Sequence, residues 1–372
     1  MSHFSKKCPI IFTIIFAFFS ILSVYCSLDY SSSSLGNLAI KQLFWYMLGF
    51  LLIFFIIRKK SKFFFDNAWL LYIIGIFLLI YLILFGEPIN NSKCWIIIPG
   101  IGSFQPSEFM KLFLIFVLVR LVNDFKEINS NPTLYQEFIL ILKSFIIFIV
   151  PTILTFLQPD TGAVIIYFKI YIFIMFFSGI RLRWFLFALL FICFIISFCG
   201  CLYYFNEDLF VKIFGYSMYY RLDRLFLWTS GDGLQLENAI AAIGSGYFFG
   251  HGFANTPIYF PEAATDFIFA VYASNFGFLG VTILLITLFS FDFYILFLIK
   301  NCSLYSYKLF LGGVLGMILF QQIQNIGMTI GLFPIMGITL PFISYGGSSL
   351  LSYLILIGII KNIASTKTKK YN

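Results

Sequence analysis

The sequence predicts an all-α integral membrane protein with about ten transmembrane helices and one large extracytoplasmic loop. Of its 372 residues, 61% are hydrophobic, 21% are aromatic and only 11% are charged. One water-soluble core cannot bury that much apolar surface. Apolar runs close to the roughly 20 residues that span a hydrocarbon core recur from end to end, separated by short polar breaks. No soluble domain is left over, so residues 1–372 are predicted to form a single transmembrane domain.

The predicted membrane spans follow these apolar runs, and some are expected to be tilted or broken. They are residues 9–28, 42–57, 67–85, 109–124, 137–157, 162–179, 184–204, 267–297, 309–333 and 347–361. The first span has an alternative interpretation as a cleaved signal peptide, because Lys6 and Lys7 precede it. Its long apolar run, with Tyr25 near the end, fits a membrane helix better than a small-residue cleavage site.

Lysine and arginine residues fall on alternate breaks between the spans. They are Lys6 and Lys7, the cluster at 58–62, Arg120 with Lys126, Arg181 with Arg183, Lys300 with Lys308, and the lysines of 361–370. By the positive-inside rule these breaks are cytoplasmic, as are both termini. The segments predicted outside are 29–41, 86–108, 158–161, 205–266 and 334–346, of which 205–266 is the large loop. The net charge of +8 reflects this bias and contact with membrane lipid, and gives no sign of nucleic-acid binding.

Several classes of site are not expected from the residues present. The seven cysteines have no metal-ligand or disulfide spacing, and most lie in or beside helices as small apolar residues. With only two histidines, His3 and His251, a multi-histidine metal site is not expected. The sequence has no Walker loop and no dinucleotide fingerprint, so nothing suggests ATP-driven chemistry. It also lacks a strong internal repeat, which weakens the case for an inverted-repeat transporter.

Polar residues gather on the predicted outer side, first at the start of the fourth span. The stretch QPSEFMK holds Gln105, Ser107, Glu108 and Lys111 within a short segment. Pro106 suits the first turn of a helix, and Lys111 follows on nearly the same face as Glu108. The plain interpretation is a helix start with one ion pair. A lysine that enters an apolar span is costly, however, and also fits a residue that faces a functional cavity.

Further polar clusters lie on the same side. In QPDTG, Asp160 either caps the helix that follows Pro159 or serves a site. The large loop carries Arg221 and Arg224 where topology does not favour cations, and guanidinium groups suit a pyrophosphate ligand. The stretch 325–349 scatters Asn, Gly, Pro and Ser at membrane depth. Such irregular backbone is tolerated only where protein or a water-filled cavity shields it.

The stretch PEAATDFIFA places two carboxylates, Glu262 and Asp266, at the start of the eighth span. This motif, QPSEFMK, QPDTG, AIGSG with FFGHGF, and NIGMTIGLFPIMGITLPFISYGGSS occur in an order and spacing that resemble the SEDS family of RodA, FtsW and SpoVE. The resemblance covers nearly the whole chain. It implies a peptidoglycan glycosyltransferase that polymerises lipid II outside the bacterial cytoplasmic membrane, with a class B penicillin-binding protein as transpeptidase partner. It leaves open an elongation, division or sporulation role.

The resemblance also implies roles for individual residues. Asp266 matches the family's essential acid and is the expected catalytic residue. Positions that match other polar family residues are expected to bind substrate, namely Glu262, Glu108, Lys111, Asp160, Ser344 and Ser348. Arg221 and Arg224 complete this set as candidate pyrophosphate ligands.

Four positions depart from the family pattern, while the catalytic acid is retained. Cys94 replaces an arginine, Ala264 replaces a histidine, and Ser274 and Asn275 replace an acidic pair. Only Asp266 and Glu262 are then left to titrate near the base. We expect activity to be lost as Asp266 protonates, without a separate histidine-like step near roughly pH 6 to 7 unless His251 folds back toward the site.

The implied chemistry accounts for two acids at the membrane edge. A base takes the proton from the acceptor sugar's 4-hydroxyl as that oxygen attacks the donor's anomeric carbon, and a lipid pyrophosphate leaves. Arg221, Arg224, Lys111 or a divalent cation would balance the leaving charge, and no other cofactor is implied. The alternatives are a lipid II flippase and a non-enzymatic scaffold for a transpeptidase. Asp266 speaks against the scaffold, whereas a flippase would use the same lipid and cavity.

Overall fold

The structure is a computed structural model that describes residues 3–27, 38–88, 92–98, 102–216, 219 and 233–366. Its helices are α1 (His3–Cys26), α2 (Leu38–Lys59), α3 (Lys62–Asp66), α4 (Ala68–Phe85), α5 (Pro106–Ile128), α6 (Leu134–Leu157), α7 (Thr161–Phe177), α8 (Leu182–Phe205), α9 (Glu207–Phe214), α10 (Leu234–Ser245), α11 (Ile268–Asn301), α12 (Tyr305–Thr329) and α13 (Gly347–Ser365). A short antiparallel hairpin, which the sequence did not predict, pairs β1 (Ile96–Ile98) with β2 (Gly102–Phe104) and places Ile97 opposite Ser103.

The described helices confirm an all-α membrane protein. Eight of them are long and apolar enough to cross a bilayer, namely α1, α2, α4, α6, α8, α11, α12 and α13. Helix α7 is apolar but has only 17 residues, and the 23-residue α5 carries charged side chains. Both overlap predicted spans, so the count of about ten stays a prediction that depends on these two helices. Helices α9 and α10 lie within the predicted loop 205–266.

The core of the bundle is built around α5, α12 and α13, which are buried along most of their length. Helix α13 packs against α2, α12 against α7, and α5 against α4 and α7. The outer helices turn one apolar side to these three and the other side outward, as expected for helices that touch both protein and lipid. This arrangement holds the polar ends of α5, α12 and α13 next to one another.

The ninth predicted span is displaced along the chain relative to its helix. The span predicted as 309–333 ends earlier, because α12 stops at Thr329. Gly331 adopts φ 81°, and the backbone N–H groups of Leu332 and Phe333 donate to the carbonyl oxygen of Gly327 at 2.8 and 3.3 Å. A glycine in the left-handed region is a common way to end a helix. The polar stretch that follows is therefore irregular backbone rather than the last turn of a span.

The irregular segment 330–346 between α12 and α13 is held by side chains of α1 and α2. Ser20 Oγ donates to the carbonyl oxygen of Ile343 at 2.8 Å, and Tyr46 OH donates to that of Phe342 at 2.6 Å. Gln42 Nε2 donates to the carbonyl oxygen of Ser344 at 3.2 Å. These bonds satisfy backbone groups that no helix serves, as the sequence required of irregular backbone at this depth.

Helix α8 stands at the edge of the bundle. None of its 24 residues is buried against the described part of the chain, and its mean hydropathy is 2.8. Its first turn is anchored by polar groups of α6. Trp184 Nε1 donates to Glu137 Oε2 at 2.9 Å, and Arg181 Nε lies 3.6 Å from Glu137 Oε1. Because Glu137 is buried at the start of α6, this contact fixes one end of α8.

Helix α11 is broken at Gly277, which adopts φ 61° and ψ −164°. The chain after α10 forms a loop that docks into the break. The N–H groups of Phe278 and Leu279 donate to the carbonyl oxygens of Tyr247 and Phe248 at 2.9 and 3.1 Å. The carbonyl oxygens left free by the break, those of residues 274 and 275, accept from the N–H groups of residues 251 and 252, each at 3.0 Å. The loop thus replaces two helical hydrogen bonds with four of its own.

Replacing Gly277 with Ala is expected to destabilise the protein by about 2 to 4 kcal/mol. The backbone conformation alone costs a side-chain residue about 1 to 3 kcal/mol, and a Cβ atom here would lie 2.7 Å from the carbonyl oxygen of Phe248. The matched control is Gly200→Ala in α8, where a Cβ atom would meet nothing within 4 Å and helix propensity favours Ala by up to about 1 kcal/mol. Thermal unfolding in detergent measures both variants. Equal unfolding midpoints for Gly277→Ala and Gly200→Ala would mean that the break in α11 does not require a glycine.

Candidate functional site

A cavity of about 960 Å³ opens at the end of the bundle where the predicted outer segments meet. Its walls come from the first turns of α2, the β1–β2 hairpin, the starts of α5, α7 and α13, the turn 262–266 and the irregular segment before α13. Of the predicted site residues, the lining includes Glu108, Asp160, Glu262, Asp266 and Ser348. The structure therefore brings motifs that are more than 200 positions apart in the chain to one surface.

Asp266 lies on the cavity wall just before α11. Burial raises the pKa of its carboxyl to about 7, and the negative charge of Glu262 contributes in the same direction. The backbone is fixed by Asn325 of α12, whose Nδ2 donates to the carbonyl oxygens of Asp266 at 2.7 Å and Ile338 at 2.8 Å. A half-buried carboxyl with a pKa near neutrality is suited to accept a proton at physiological pH.

Glu262 begins the tight turn that carries Asp266. It adopts φ 55°, an uncommon conformation for a residue with a side chain, and its carbonyl oxygen accepts from the N–H groups of Thr265 and Phe267 at 3.2 and 3.1 Å. Its side chain is exposed, and Oε2 accepts from Thr265 Oγ1 at 2.7 Å. The turn therefore presents both acids to the cavity, and the strained backbone marks it as a candidate site.

Ser344 does not line the cavity and instead holds the turn from behind. Its Oγ donates to the carbonyl oxygen of Thr265 at 2.7 Å and accepts from the N–H group of Leu340 at 2.8 Å. The N–H group of Tyr345 donates to the carbonyl oxygen of Ala264 at 2.9 Å. The structure thus gives Ser344 a positioning contact, whereas the resemblance suggested contact with substrate.

Asp160 combines both of the interpretations left open by the sequence. It caps α7, because Oδ1 accepts from the N–H group of Ala163 at 3.0 Å. Its Oδ2 accepts from Gln105 Nε2 and from Ser107 Oγ, each at 3.0 Å, and the carboxylate also lines the cavity. Ser348 joins the same wall, where its Oγ accepts from the N–H group of Gln105 at 3.0 Å.

Glu108 and Lys111 form a buried ion pair on the first turns of α5. Lys111 Nζ lies 2.7 Å from Glu108 Oε2 and 5.3 Å from the centre of the Tyr353 ring. The lysine side chain is fully buried and does not reach the cavity lining, whereas Glu108 does. The predicted pair is therefore present, and Lys111 acts behind the wall, where it balances an acid that would otherwise be buried without a partner.

The predicted pyrophosphate ligands Arg221 and Arg224 lie outside the described residues. Within the described lining, the cation is Lys41 at the start of α2, beside four acids. The sequence analysis missed Lys41, although one signal was available, since it is a cation on a segment predicted to be outside. Trp45, one turn further along α2, also lines the cavity and was missed because it lies inside an apolar run.

The departures from the family pattern have different locations. Cys94 is buried, donates through Sγ to the carbonyl oxygen of Gln158 at 3.1 Å, and has a pKa raised to about 12 by burial. Asn275 faces the loop docked at the break, where its Oδ1 accepts from the N–H group of Asn255 at 2.9 Å. Ser274 is buried beside it, and neither residue lines the cavity. His251 is also remote from the lining, with Nε2 lying 3.0 Å from Ser245 Oγ.

The described residues contain no group of three or more His, Cys, Asp or Glu side chains placed to hold a metal ion. The described side chains of the site offer acid–base and hydrogen-bonding groups. They supply a carboxyl with a pKa near 7, a second acid close to it, and hydroxyl, amide and indole groups on the opposite walls. Such a surface can remove a proton from a polar, hydroxyl-rich ligand and hold that ligand in place.

The comparisons with known proteins decide the family. A family model described as cell cycle protein, for FtsW, RodA and SpoVE, matches residues 6–369. The chain belongs to this family. The family resemblance that the motifs indicated is thus confirmed.

Relatives within the family are similar over most of their length. The chain is 32% identical to a probable peptidoglycan glycosyltransferase FtsW of Buchnera aphidicola subsp. Schizaphis graminum, over 87% of this chain and 89% of the relative. It is 31% identical to the stage V sporulation protein E of Bacillus subtilis, over 95% of both chains. It is 29% identical to the peptidoglycan glycosyltransferase RodA of Treponema pallidum, over 87% of this chain and 89% of the relative.

Solved structures share the fold. A chain of a peptidoglycan synthase complex superposes with a TM-score of 0.79 at 22% identity, covering 96% of this chain and 98% of that one. The rod shape determining protein RodA of Thermus thermophilus superposes with a TM-score of 0.69 at 23% identity, covering 96% of each chain. At these identities the similarity establishes the fold.

The variant Lys111→Met is expected to lose about 3 to 5 kcal/mol of stability, because it leaves the Glu108 carboxylate buried without its partner. The double variant Glu108→Gln with Lys111→Met should recover most of that loss. The matched control is Arg120→Met on the same helix, since Arg120 and Asp124 form an exposed pair worth less than about 1 kcal/mol. Unfolding midpoints in detergent measure all three. Equal losses for Lys111→Met and Arg120→Met would mean that burial of the pair has no energetic weight.

Proposed function

We propose that the protein is a peptidoglycan glycosyltransferase of the bacterial cytoplasmic membrane that polymerises lipid II, with both termini in the cytoplasm. One observation carries the proposal, namely that the Asp266 carboxyl, with a pKa of about 7, lies on a cavity where the outer ends of the spans meet. Two relatives that match this chain over most of their length are named peptidoglycan glycosyltransferases, one of them as probable. These names support the reaction class. The substrate would keep its lipid tail in the bilayer and place its sugars in the cavity.

In the proposed reaction Asp266 is the general base. Its carboxylate accepts the proton of the acceptor sugar's 4-hydroxyl while that oxygen forms a bond to the donor's anomeric carbon. The bond between the anomeric carbon and the pyrophosphate oxygen breaks, and the lipid pyrophosphate leaves with the electron pair. Asp266 then releases the proton to water. Glu262 keeps the pKa of the base high, so that it accepts the proton readily at neutral pH.

The leaving pyrophosphate requires cations in a lining rich in acids. Lys41 suits this role, because it is exposed at the outer end of α2, where it lines the cavity beside the exposed apolar residues Ile40 and Phe44. Arg221 and Arg224 remain proposed as further ligands on chemical grounds. Lys111 acts indirectly in this scheme, since it neutralises Glu108 behind the wall.

We also propose a class B penicillin-binding protein as the partner. The support is the likeness of the fold to a chain of a peptidoglycan synthase complex. Such a partner would crosslink the glycan strands that this chain extends.

Replacing Asp266 with Asn is expected to lower the rate of lipid II polymerisation by about 10² to 10⁴, because an amide cannot take up the proton. The assay measures glycan strands made by the purified protein, with and without a transpeptidase partner. The matched control is Asp208→Asn on α9, an exposed acid remote from the cavity lining, which should behave as wild type. Strands of normal amount from Asp266→Asn would refute the base assignment. Lipid II translocation without any polymerisation by the wild type would instead favour a flippase.

The rate of polymerisation is expected to fall as pH decreases through about 7, because protonation of Asp266 removes the base. The sequence-based expectation of no separate histidine-like step stays a prediction, and in this proposal the single step belongs to Asp266. A profile from about pH 5 to pH 9 measures the midpoint. His251→Gln should leave the midpoint unchanged, and Glu262→Gln should lower it, since the neighbouring negative charge is removed. A step that disappears in His251→Gln would contradict this assignment.

A further inference from the structure

The loop docked in the break of α11 carries an exposed run of aromatic side chains. We define the collar loop as residues 246–253. Within the collar loop Tyr247 is 85% exposed and Phe249 is 76% exposed. The backbone of the loop is nevertheless fixed by four hydrogen bonds to α11. A rigid backbone that presents large apolar rings to the outside needs a partner surface of matching chemistry.

Burial along α11 changes at the same point. Residues 268–275, before the break, are all buried in protein, whereas Phe278 and Leu279, directly after it, are exposed. From Phe278 to Lys300, near the end of the helix, the rise of 1.5 Å per residue spans about 33 Å. That length matches a hydrocarbon core of about 30 Å crossed at a slight tilt. The break therefore lies at the outer edge of the hydrocarbon, and the part of α11 before it is enclosed by protein.

We propose that the collar loop inserts its aromatic rings into the outer leaflet of the bilayer, at the level of the headgroups and the first acyl carbons. The occupant of this apolar surface is lipid, because the surface is continuous with the lipid-facing side of a membrane-spanning helix. The ring of Phe248 lies 5.9 Å from that of Phe278. At the other end of the loop, Phe253 stacks on Tyr25 of α1 with ring centres 5.2 Å apart. Tyrosine is enriched at this depth, and phenylalanine is among the residues that bury apolar surface at the boundary of headgroups and acyl chains.

The collar loop then sets the height of the active site, and this step rests on the proposed function. The buried part of α11 before the break joins the collar loop to Asp266, which lies two positions before the first residue of the helix. Asp266 therefore keeps a fixed distance from the place where the collar loop meets the lipid. A sugar joined to a lipid through pyrophosphate has to meet the base at that distance. A loop anchored in lipid keeps the base at the height of the reacting hydroxyl.

Photo-crosslinking of the full-length chain in phosphatidylethanolamine and phosphatidylglycerol vesicles tests the insertion directly. The photoreactive amino acid p-benzoylphenylalanine replaces Phe249, the lipid-facing Phe278 as positive control, and Leu234 on α10 as an exposed control outside the loop. Mass spectrometry identifies adducts with acyl chains. We expect lipid adducts at positions 249 and 278 in comparable yield, and at least tenfold less at 234. Adducts at 278 without adducts at 249 would overturn the proposal, whether or not the protein polymerises lipid II.

The height function is tested with Phe249→Ser and Phe249→Trp in the same vesicles. Loss of the anchor is expected to lower polymerisation roughly tenfold or more in Phe249→Ser, because small displacements of a base are costly, while Phe249→Trp keeps wild-type activity. Leu234→Ser is the control and should match wild type. Equal activity of Phe249→Ser and Phe249→Trp, with unfolding midpoints unchanged, would overturn the height function. If the wild-type protein makes no strands, only the proposed function is refuted. The crosslinking result does not depend on polymerisation.

Discussion

The site depends on the requirement that backbone polar groups at membrane depth find hydrogen-bond partners within the protein. The irregular segment before α13 meets this requirement through Ser20, Gln42 and Tyr46 of the first two helices. Once held there, the segment presents Ser344 to the turn that carries Asp266. Ser20, Gln42 and Tyr46 thus support the site without lining the cavity. Other residues in the first turns of α2 do line it.

Electrostatics impose a second constraint on the cavity. Four acids share its described lining with one lysine, so the surface repels a pyrophosphate unless further cations accompany it. The buried pair of Glu108 and Lys111 reduces this excess without exposing a positive charge. Burial, with a further contribution from the negative charge of Glu262, raises the pKa of Asp266 and makes it a better proton acceptor than an exposed aspartate. The acids that favour proton transfer to Asp266 therefore also oppose binding of the negatively charged pyrophosphate.

Much of the site could be predicted from sequence because polar residues are conspicuous in an apolar chain. Glu108, Asp160, Glu262 and Asp266 stood out for this reason, and the pairing of Glu108 with Lys111 followed from helical spacing. The break at Gly277 was not predicted, since the apolar run around it is continuous and its hydrogen bonds come from a loop elsewhere in the chain. Lys41 was visible only as a cation on a segment predicted to be outside, and its contact with the cavity depends on segments far away in the chain.

The peripheral position of α8 affects how its sequence can change. None of its residues is buried in the described protein, and a lipid tail that meets such a surface accepts any apolar side chain of reasonable size. Selection on most of α8 therefore acts on average hydropathy and not on shape, so Leu, Ile and Phe are interchangeable along it. The exception is the turn joined to Glu137, where Arg181 and Trp184 make specific contacts. Among homologous chains, α8 should drift faster than α12 or α13 while keeping this one fixed end.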